Sequence, residues 1–300
     1  MWSSGQGQQL EFTDKWSFGF VVCTLSSGAV ALAETQGPAP KIVNGYESAP
    51  GARPYIGSYQ IFLDDTWQHI CGCTLVTPNK VITAAHCVVA FPGIPWRVQF
   101  GSNQLFDQTS PHVQYRNVSA SEPHEGYYPG DNYPNDIAIM TLERSVRITD
   151  YVQLAKLSEH RGYPYPGDTC LIVGWGKTKQ FNPDYSPELR EARTVVLDTE
   201  TCNNLFQTLA GDYYDPTLVA DSNQVCLSDR SQSTGTKPTA CFGDSGGPLM
   251  CGRGFKYLSG VTSWAYSCDG ETPVVYTRVS SYVKWIHERL SLVGELAGGL

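Results

Sequence analysis

The stretch Cys241-Phe-Gly-Asp-Ser-Gly-Gly-Pro248 is the most informative part of the 300-residue chain. Three glycines and an aspartate surround a single serine, Ser245. Because glycine lacks a Cβ, a substrate can approach this backbone closely and the chain can adopt strained turns. Ser245 is therefore a candidate nucleophile, although the composition fits an ordinary glycine-rich turn equally well. The rest of the sequence has to decide between these interpretations.

A serine nucleophile needs a histidine base and a carboxylate that orients the histidine. His86 ends the apolar, β-prone run Val81-Ile-Thr-Ala-Ala-His86, as expected for a strand that finishes at a site. Asp136 opens an alternating apolar segment that ends at Leu142. Taken alone, each residue has an ordinary interpretation, a core or surface histidine and a turn aspartate. The ordinary interpretation is adopted for His112, His124, His160 and His287.

In the order His86, Asp136 and Ser245, these segments resemble the chymotrypsin-like serine proteases. The resemblance covers residues 42–292, because four shorter motifs follow the family's order as well. These are Ile42-Val-Asn-Gly45, Gly174-Trp-Gly176, Ser263-Trp264 and Pro273-Val-Val-Tyr276. The resemblance implies that Ser245 attacks a carbonyl carbon, that His86 carries the proton, and that Asp136 orients His86. It also implies an oxyanion hole formed by the backbone N–H groups of Gly243 and Ser245.

Short, β-branched segments interrupted by Gly and Pro, without helical periods, predict an all-β fold. The predicted strands are 56–62, 74–83, 97–101, 137–142, 170–175, 248–251, 258–263 and 274–279. The resemblance refines this to two six-stranded antiparallel β-barrels at about 42–155 and 156–280, with the site in the cleft between them. Helical spacing of apolar residues predicts a C-terminal α-helix at 281–292, and 293–300 is predicted to be a tail.

The segment 102–135 is polar and rich in tyrosine, and we expect a surface loop there. It contains Asn117-Val-Ser119, an N-glycosylation acceptor pattern. It lacks the paired glutamates of the family's calcium-binding loop, so no metal is predicted.

Ten cysteines favour an oxidising compartment. A moderately apolar run ends in Ala31-Leu-Ala33, which predicts a signal peptide at 1–33 and a secreted, extracellular protein. A membrane anchor is the alternative, although the run is short and diluted by polar residues. Removal of the signal peptide would take Cys23 with it and leave nine cysteines.

The resemblance implies four disulfides among the remaining cysteines: Cys71 with Cys87, Cys170 with Cys251, Cys202 with Cys226, and Cys241 with Cys268. Cys73 is left over, and we expect a buried free thiol, since free cysteine behaves as a small hydrophobe. Competition with Cys71 for Cys87 is the alternative. Metal binding by the cysteines is disfavoured because paired Cys-x-x-Cys ligands are missing.

The unstructured-looking segment 34–41 ends in Lys41, and the apolar pair Ile42-Val43 follows abruptly. The resemblance implies a zymogen in which a trypsin-like protease cleaves after Lys41. The new ammonium of Ile42 then turns inward and pairs with Asp244, whose buried carboxylate would otherwise be strongly unfavourable. His69 matches the family histidine that can hold Asp244 before cleavage, with an ordinary strand histidine as the alternative.

The resemblance places Thr239 at the floor of a specificity pocket and Ser263, Trp264, Ala265 and Val274 along its walls. Threonine cannot pair with the charge of a Lys or Arg substrate, and side chains at Ala265 and Val274 would fill the slot. We therefore expect an elastase-like preference for small or medium aliphatic residues. The loop after Trp264 is about one residue shorter than in the family, so a chymotrypsin-like preference for large apolar residues is the alternative.

The formal net charge of −8 disfavours nucleic acid as a partner, because its binders carry a basic patch. The expected partners are protein or peptide substrates, an activating protease and protein inhibitors, with no cofactor and a monomeric state. A catalytically silent relative that serves as a binding module is the second function class. The complete set of candidate catalytic and activation residues favours the enzyme.

Overall fold

The computed structural model describes residues 42–43, 45–130, 132–179, 181, 184–209, 220–228 and 237–291. The predicted signal peptide, the activation segment with Lys41 and the predicted tail lie outside the described residues. Within these ranges, no helix is long and apolar enough to cross a membrane.

The described residues form mainly β-strands. In chain order these are β1 (Tyr46–Glu47), β2 (Ile56–Leu63), β3 (Thr66–Thr77), β4 (Lys80–Thr83), β5 (Trp96–Phe100), β6 (Gln114–Pro123), β7 (Ala138–Leu142), β8 (Lys156–Leu157), β9 (Thr169–Gly174), β10 (Arg190–Leu197), β11 (Gln224–Leu227), β12 (Pro248–Cys251), β13 (Tyr257–Ala265) and β14 (Val274–Arg278). The α-helices are α1 (Ala85–Val89), α2 (Thr199–Leu209) and α3 (Val283–Ser291).

The first barrel closes in the order β2-β3-β4-β7-β6-β5, with every pair antiparallel. Asp64 and Asp65 form the two-residue turn between β2 and β3, and both have positive φ angles (51° and 59°). This turn geometry follows the right-handed twist of a hairpin, and aspartate tolerates it better than most residues. Leu75, Val98 and Ile139 lie fully buried in the core of this barrel.

The second barrel closes in the order β9-β10-β11-β14-β13-β12 through antiparallel pairs. Strand β1 extends the sheet beside β10, and β8 lies parallel to β13. Helix α3 buries Trp285 and Ile286, and the Trp285 indole donates a hydrogen bond to Glu125 (2.8 Å). The predicted pair of six-stranded barrels with a C-terminal helix is thus confirmed.

The four disulfides implied by the resemblance are all present. Cys73 is a completely buried free thiol, as predicted, and it lies opposite Gly57 in the β2–β3 ladder. Its Sγ donates a long hydrogen bond to the Gly57 carbonyl (3.5 Å). Because Gly57 has no side chain, the sulfur has room in the ladder, and burial raises the pKa of the thiol.

Two structural predictions were wrong. The predicted strand 74–83 is a hairpin, in which β3 turns at Pro78-Asn79 and returns as β4. The predicted loop 102–135 contains β6, which pairs with β5 and β7 although few of its side chains are buried. Helix α2 was missed altogether. Its start is marked by Asp198, whose carboxylate accepts a hydrogen bond from the N–H of Thr201 (2.8 Å).

Candidate active site

The two barrels bring His86 and Ser245 to the same cavity, which has a volume of about 520 Å³. His86 lies in the first turn of α1, directly after β4 ends at Thr83. Ala84 and Ala85 are fully buried, so the chain packs tightly just before the imidazole. The strand therefore finishes at the site, as the sequence predicted.

Asp136 is fully buried and holds His86 with two hydrogen bonds. His86 Nδ1 lies 2.7 Å from Asp136 Oδ2, and the His86 backbone N–H donates to Asp136 Oδ1 (2.9 Å). Burial alone would lower the pKa of His86, but the charge and hydrogen bond of Asp136 outweigh burial and raise it. Since Nδ1 faces a carboxylate, it carries the proton, and Nε2, which lies 3.5 Å from the disulfide sulfur of Cys87, is left unprotonated and able to accept one.

Two hydroxyl groups of the second barrel fix Asp136 across the cleft. Ser263 Oγ donates to Asp136 Oδ2 (2.6 Å), and Thr277 Oγ1 donates to the Asp136 carbonyl (2.7 Å). The sequence placed Ser263 in the pocket wall and did not anticipate its contact with Asp136. The carboxylate thus accepts hydrogen bonds from His86 and from the facing barrel.

The loop around Ser245 adopts a backbone that requires glycine. Gly243 and Gly246 have φ angles of 94° and 73°, in the left-handed region. A Cβ on Gly246 would collide with Thr83 Oγ1 and the Gly72 carbonyl. The Ser245 carbonyl accepts a hydrogen bond from the N–H of Gly72 (2.8 Å), which ties the loop to the first barrel. The glycines of the octapeptide are therefore demanded by close backbone contacts.

The backbone N–H groups of Gly243 and Ser245 donate to no acceptor in the part of the chain that the structure describes. The carbonyl groups of Phe242 and Gly243, in contrast, both have hydrogen-bond partners. The Phe242 carbonyl accepts from the Lys177 N–H (2.8 Å), and the Gly243 carbonyl lies 3.0 Å from His69 Nε2. Two uncommitted donors next to Ser245 are the feature that a developing oxyanion needs.

Asp244 is buried on the other side of the loop. Its carboxylate accepts hydrogen bonds from the N–H groups of Gly176 (2.7 Å) and Cys241 (2.9 Å), and no cationic group contacts it within the described residues. Burial raises its pKa to about 6. A Cβ on Gly174 or Gly176 would collide with this carboxylate, which explains both glycines of the Gly174-Trp-Gly176 motif.

The contact expected between His69 and Asp244 is absent from this structure. His69 instead lies between the Gly243 carbonyl and Ser58 Oγ, with its Nδ1 2.8 Å from the hydroxyl. Ile42 is also buried, and its carbonyl accepts from the Gly45 N–H (2.7 Å). Lys41 lies outside the described residues.

Four of the five predicted pocket residues line the cavity: Ser263, Trp264, Ala265 and Val274. Thr239, the predicted floor, is buried but does not line it. Its backbone N–H donates to the Val43 carbonyl (3.3 Å). Sequence reasoning missed the aromatic residues that complete the lining, Tyr127, Tyr133, Phe242 and Tyr266.

Comparison with known proteins agrees with the resemblance that the motifs and the geometry of the site indicate. The family model described as Trypsin matches residues 42–286. The chain belongs to the trypsin family. Among curated trypsin-family relatives, the fibrinolytic enzyme isozyme C of Lumbricus rubellus is 35% identical over 254 residues, which cover 82% of this chain and 98% of the relative.

Two further comparisons agree with this assignment. A chymotrypsin-like serine proteinase of Haliotis rufescens is 33% identical over 89% of this chain and 96% of its own length. The solved structure of a protein named GrC superposes with a TM-score of 0.66 at 30% identity, covering 82% of this chain and 98% of that one. This trypsin-family protein is a serine endopeptidase, and hence a hydrolase that acts on protein substrates.

Among the described residues, one group of side chains that could bind a metal ion lies at this site: Cys71, His86 and Cys87. The two sulfur atoms are bonded to each other in a disulfide, so neither is a thiolate ligand. The group is therefore explained by the disulfide that clamps α1 to β3.

Proposed function

We propose that Ser245 is the nucleophile of this endopeptidase, His86 its general base and acid, and Asp136 the carboxylate that orients His86. The observation that carries the proposal is that buried Asp136 holds His86 in one cavity with Ser245, beside the uncommitted N–H groups of Gly243 and Ser245. A surface histidine or a structural glycine turn would have none of these features.

The chemistry follows from the placement of the protons. Nδ1 of His86 is held by Asp136, so Nε2 takes the proton of the Ser245 hydroxyl as Oγ attacks the substrate carbonyl carbon. The resulting oxyanion is stabilised by the N–H groups of Gly243 and Ser245. The His86 imidazolium then protonates the leaving amine, and water releases the acyl group by the same steps in reverse.

The cavity supports an elastase-like preference for small or medium aliphatic residues before the scissile bond. Val274 and Ala265 line it, while Thr239 is buried outside the lining. A Lys or Arg substrate would find no carboxylate among the described residues that line the cavity. A chymotrypsin-like preference for large apolar residues is the second candidate, favoured by the aromatic lining of the cavity.

We further propose that the enzyme is secreted as a monomeric zymogen, with residues 1–33 removed as a signal peptide and a trypsin-like protease cutting after Lys41. The buried Asp244, with no described cation beside it, supports this, because a new ammonium at Ile42 would satisfy its charge. Asn117 is exposed on β6 and suits glycosylation. Protein inhibitors would occupy the same cleft as substrates.

The decisive experiment is covalent labelling of the trypsin-treated protein with an organophosphate. Wild type is expected to take up one label and Ser245→Ala none, while Ser145→Ala, at an exposed serine, is the control and is expected to label like wild type. Labelling that survives in Ser245→Ala would reject the nucleophile. The rates of cleavage of peptides with Ala, Leu, Phe or Lys before the scissile bond then show which side chain the pocket prefers. Preferred cleavage after Lys would reject the proposed specificity.

A further inference from the structure

A line of buried hydrogen bonds connects the surface of the first barrel to the Gly243 carbonyl. Arg97 Nε donates to Gln60 Oε1 (2.8 Å), and Gln60 Nε2 donates to Ser58 Oγ (3.1 Å). Ser58 Oγ contacts His69 Nδ1 (2.8 Å), and His69 Nε2 contacts the Gly243 carbonyl (3.0 Å). Gln60, Ser58 and His69 are at most 1% exposed, so water does not compete for these partners.

The orientation of the Gln60 side-chain amide is fixed from two sides. A guanidinium can only donate, so Oε1 must face Arg97. On the other side Gln60 Nε2 donates to Gln99 Oε1 (3.1 Å), and Gln99 Oε1 is itself identified by the hydrogen bond it accepts from the Phe106 N–H (2.8 Å). Arg97 is held in place between the rings of Trp67 (4.1 Å) and Tyr115 (4.2 Å).

The orientation of this amide favours one position for the His69 proton, the same position that the Gly243 carbonyl requires because a carbonyl can only accept. Because Gln60 donates to Ser58 Oγ, the Ser58 hydroxyl is free to donate its own proton to His69 Nδ1. His69 is neutral, since burial lowers its pKa to about 4. Its single ring proton therefore sits on Nε2, which donates to the Gly243 carbonyl. Every donor in the line points toward Gly243.

A hydrogen bond that fixes the backbone, such as the one from His69, has its largest effect at Gly243. Glycine has the widest conformational freedom, and the N–H of Gly243 must point into the cleft. The peptide before it is held by Lys177, which donates to the Phe242 carbonyl, and the peptide after it is held by His69. The ring of Tyr185 packs against the Gly243 backbone, where a Cβ would collide with it.

We propose that Gln60 is a positioning residue: by donating to Ser58, and oriented by Arg97, it keeps the His69 proton on Nε2 and thereby holds Gly243 in the conformation of the oxyanion hole. This inference rests on the proposed role of the Gly243 N–H. It assigns to a side chain of the first barrel a function in the catalytic loop of the second.

Gln60→Glu is the sharpest test, because a carboxylate still accepts from Arg97 but cannot donate to Ser58. Ser58 must then donate to Glu, and His69 Nδ1 must carry a proton to reach Ser58. Long-range ¹H–¹⁵N spectra of the trypsin-treated protein are expected to show a bare His69 Nδ1 in wild type and a protonated Nδ1 in the variant. At pH 9 we expect kcat to fall by about 10- to 100-fold, below the loss of a whole oxyanion donor, with KM unchanged within about twofold.

Gln153→Glu introduces the same change at an exposed position and is expected to alter neither the spectrum nor kcat. Ser58→Ala is the second variant, should Gln60→Glu fold poorly, and is expected to lower kcat about threefold to tenfold without changing KM. A bare Nδ1 in Gln60→Glu, or kcat within twofold of wild type in both variants, would overturn the proposal. A wild-type protein that neither labels nor cleaves would instead reject the proposed function, and the spectra would still test the proton position.

Discussion

Asp244 makes the stability of the uncut chain depend on pH in a direction that is unusual for an aspartate. Its pKa is raised from 3.8 to about 6 because the carboxylate is buried, with two backbone N–H groups as its only described partners. A group with a raised pKa in the folded state stabilises the fold below its unfolded pKa. That contribution is lost as the pH rises through the folded pKa, so the window runs from about pH 4 to about pH 6.

The magnitude follows from the shift of about two pKa units. Each unit corresponds to 1.36 kcal/mol, so the free energy of unfolding should fall by about 3 kcal/mol across the window. This is a large fraction of the 5–15 kcal/mol that stabilises a typical domain. After cleavage behind Lys41, the free energy of unfolding should no longer fall across this pH window, because the ammonium of Ile42 would pair with the ionised carboxylate of Asp244.

The measurement is urea unfolding of Lys41→Gln, which keeps the chain uncut, at pH 4 and pH 7.5, with and without Asp244→Asn. The second substitution shifts stability at all pH values, since its amide N–H₂ must face the N–H of either Gly176 or Cys241, so the test uses the change with pH. The free energy of unfolding of Lys41→Gln relative to the double variant should fall by about 3 kcal/mol from pH 4 to pH 7.5. Asp150→Asn, at an exposed aspartate, is the control.

A difference that is flat or rises with pH would refute the reasoning. It would mean that Asp244 is already paired with a cation before cleavage. The proposed activation would then lack its driving force, because an ammonium at Ile42 would only replace an existing partner.

Three further predictions concern the site and the core. Ser263→Ala removes the 2.6 Å hydrogen bond to Asp136 and should lower kcat about tenfold at unchanged active-site titre, whereas an unchanged kcat would make the contact dispensable. Val274→Gly should raise kcat/KM for Phe over Ala peptides at least about tenfold, and an unchanged ratio would place selectivity elsewhere. Cys73→Ser should cost about 1–3 kcal/mol in urea unfolding with activity retained. In the wild-type protein, peptide mapping should find Cys73 alkylated only after unfolding, and alkylation of the native protein would contradict its burial.

The sequence predicted those parts of the fold in which burial leaves a pattern. Strand β12 was predicted at its exact bounds and β2, β5, β7, β9, β13 and β14 to within one or two residues, since their apolar residues face a core, whereas β1, β8, β10 and β11 were not predicted. Strand β6 left no such pattern: Tyr-Arg-Asn-Val-Ser-Ala-Ser is held by ladder hydrogen bonds while most of its side chains remain at least partly exposed. The hairpin turn at Pro78-Asn79 did have a signal, the proline itself, and it was overlooked.

At the site, the motifs that are local in sequence could be predicted directly, whereas the pairing of distant motifs came only from the family resemblance. Backbone positions that tolerate only glycine, such as Gly243 and Gly246, are visible as motifs because a Cβ is excluded. The contacts of Ser263 with Asp136 and of Gln60 with Ser58 could not be anticipated in this way. The first spans 127 residues, and the second gains its meaning from Arg97, 37 residues away.

The catalytic geometry depends on a few hydrogen bonds that cross between the barrels. The proposed base His86 and its carboxylate Asp136 come from the first barrel, and the loop with the proposed nucleophile Ser245 comes from the second. The cross-barrel bonds run from Gly72 to the Ser245 carbonyl, from His69 to the Gly243 carbonyl, and from Ser263 and Thr277 to Asp136. The four disulfides of the described residues each join parts of one barrel, so none fixes this alignment covalently. The alignment of His86 with Ser245 therefore rests on these buried polar contacts as well as on the apolar core that the two barrels share, and this is why the loss of a single buried hydroxyl group is expected to change kcat.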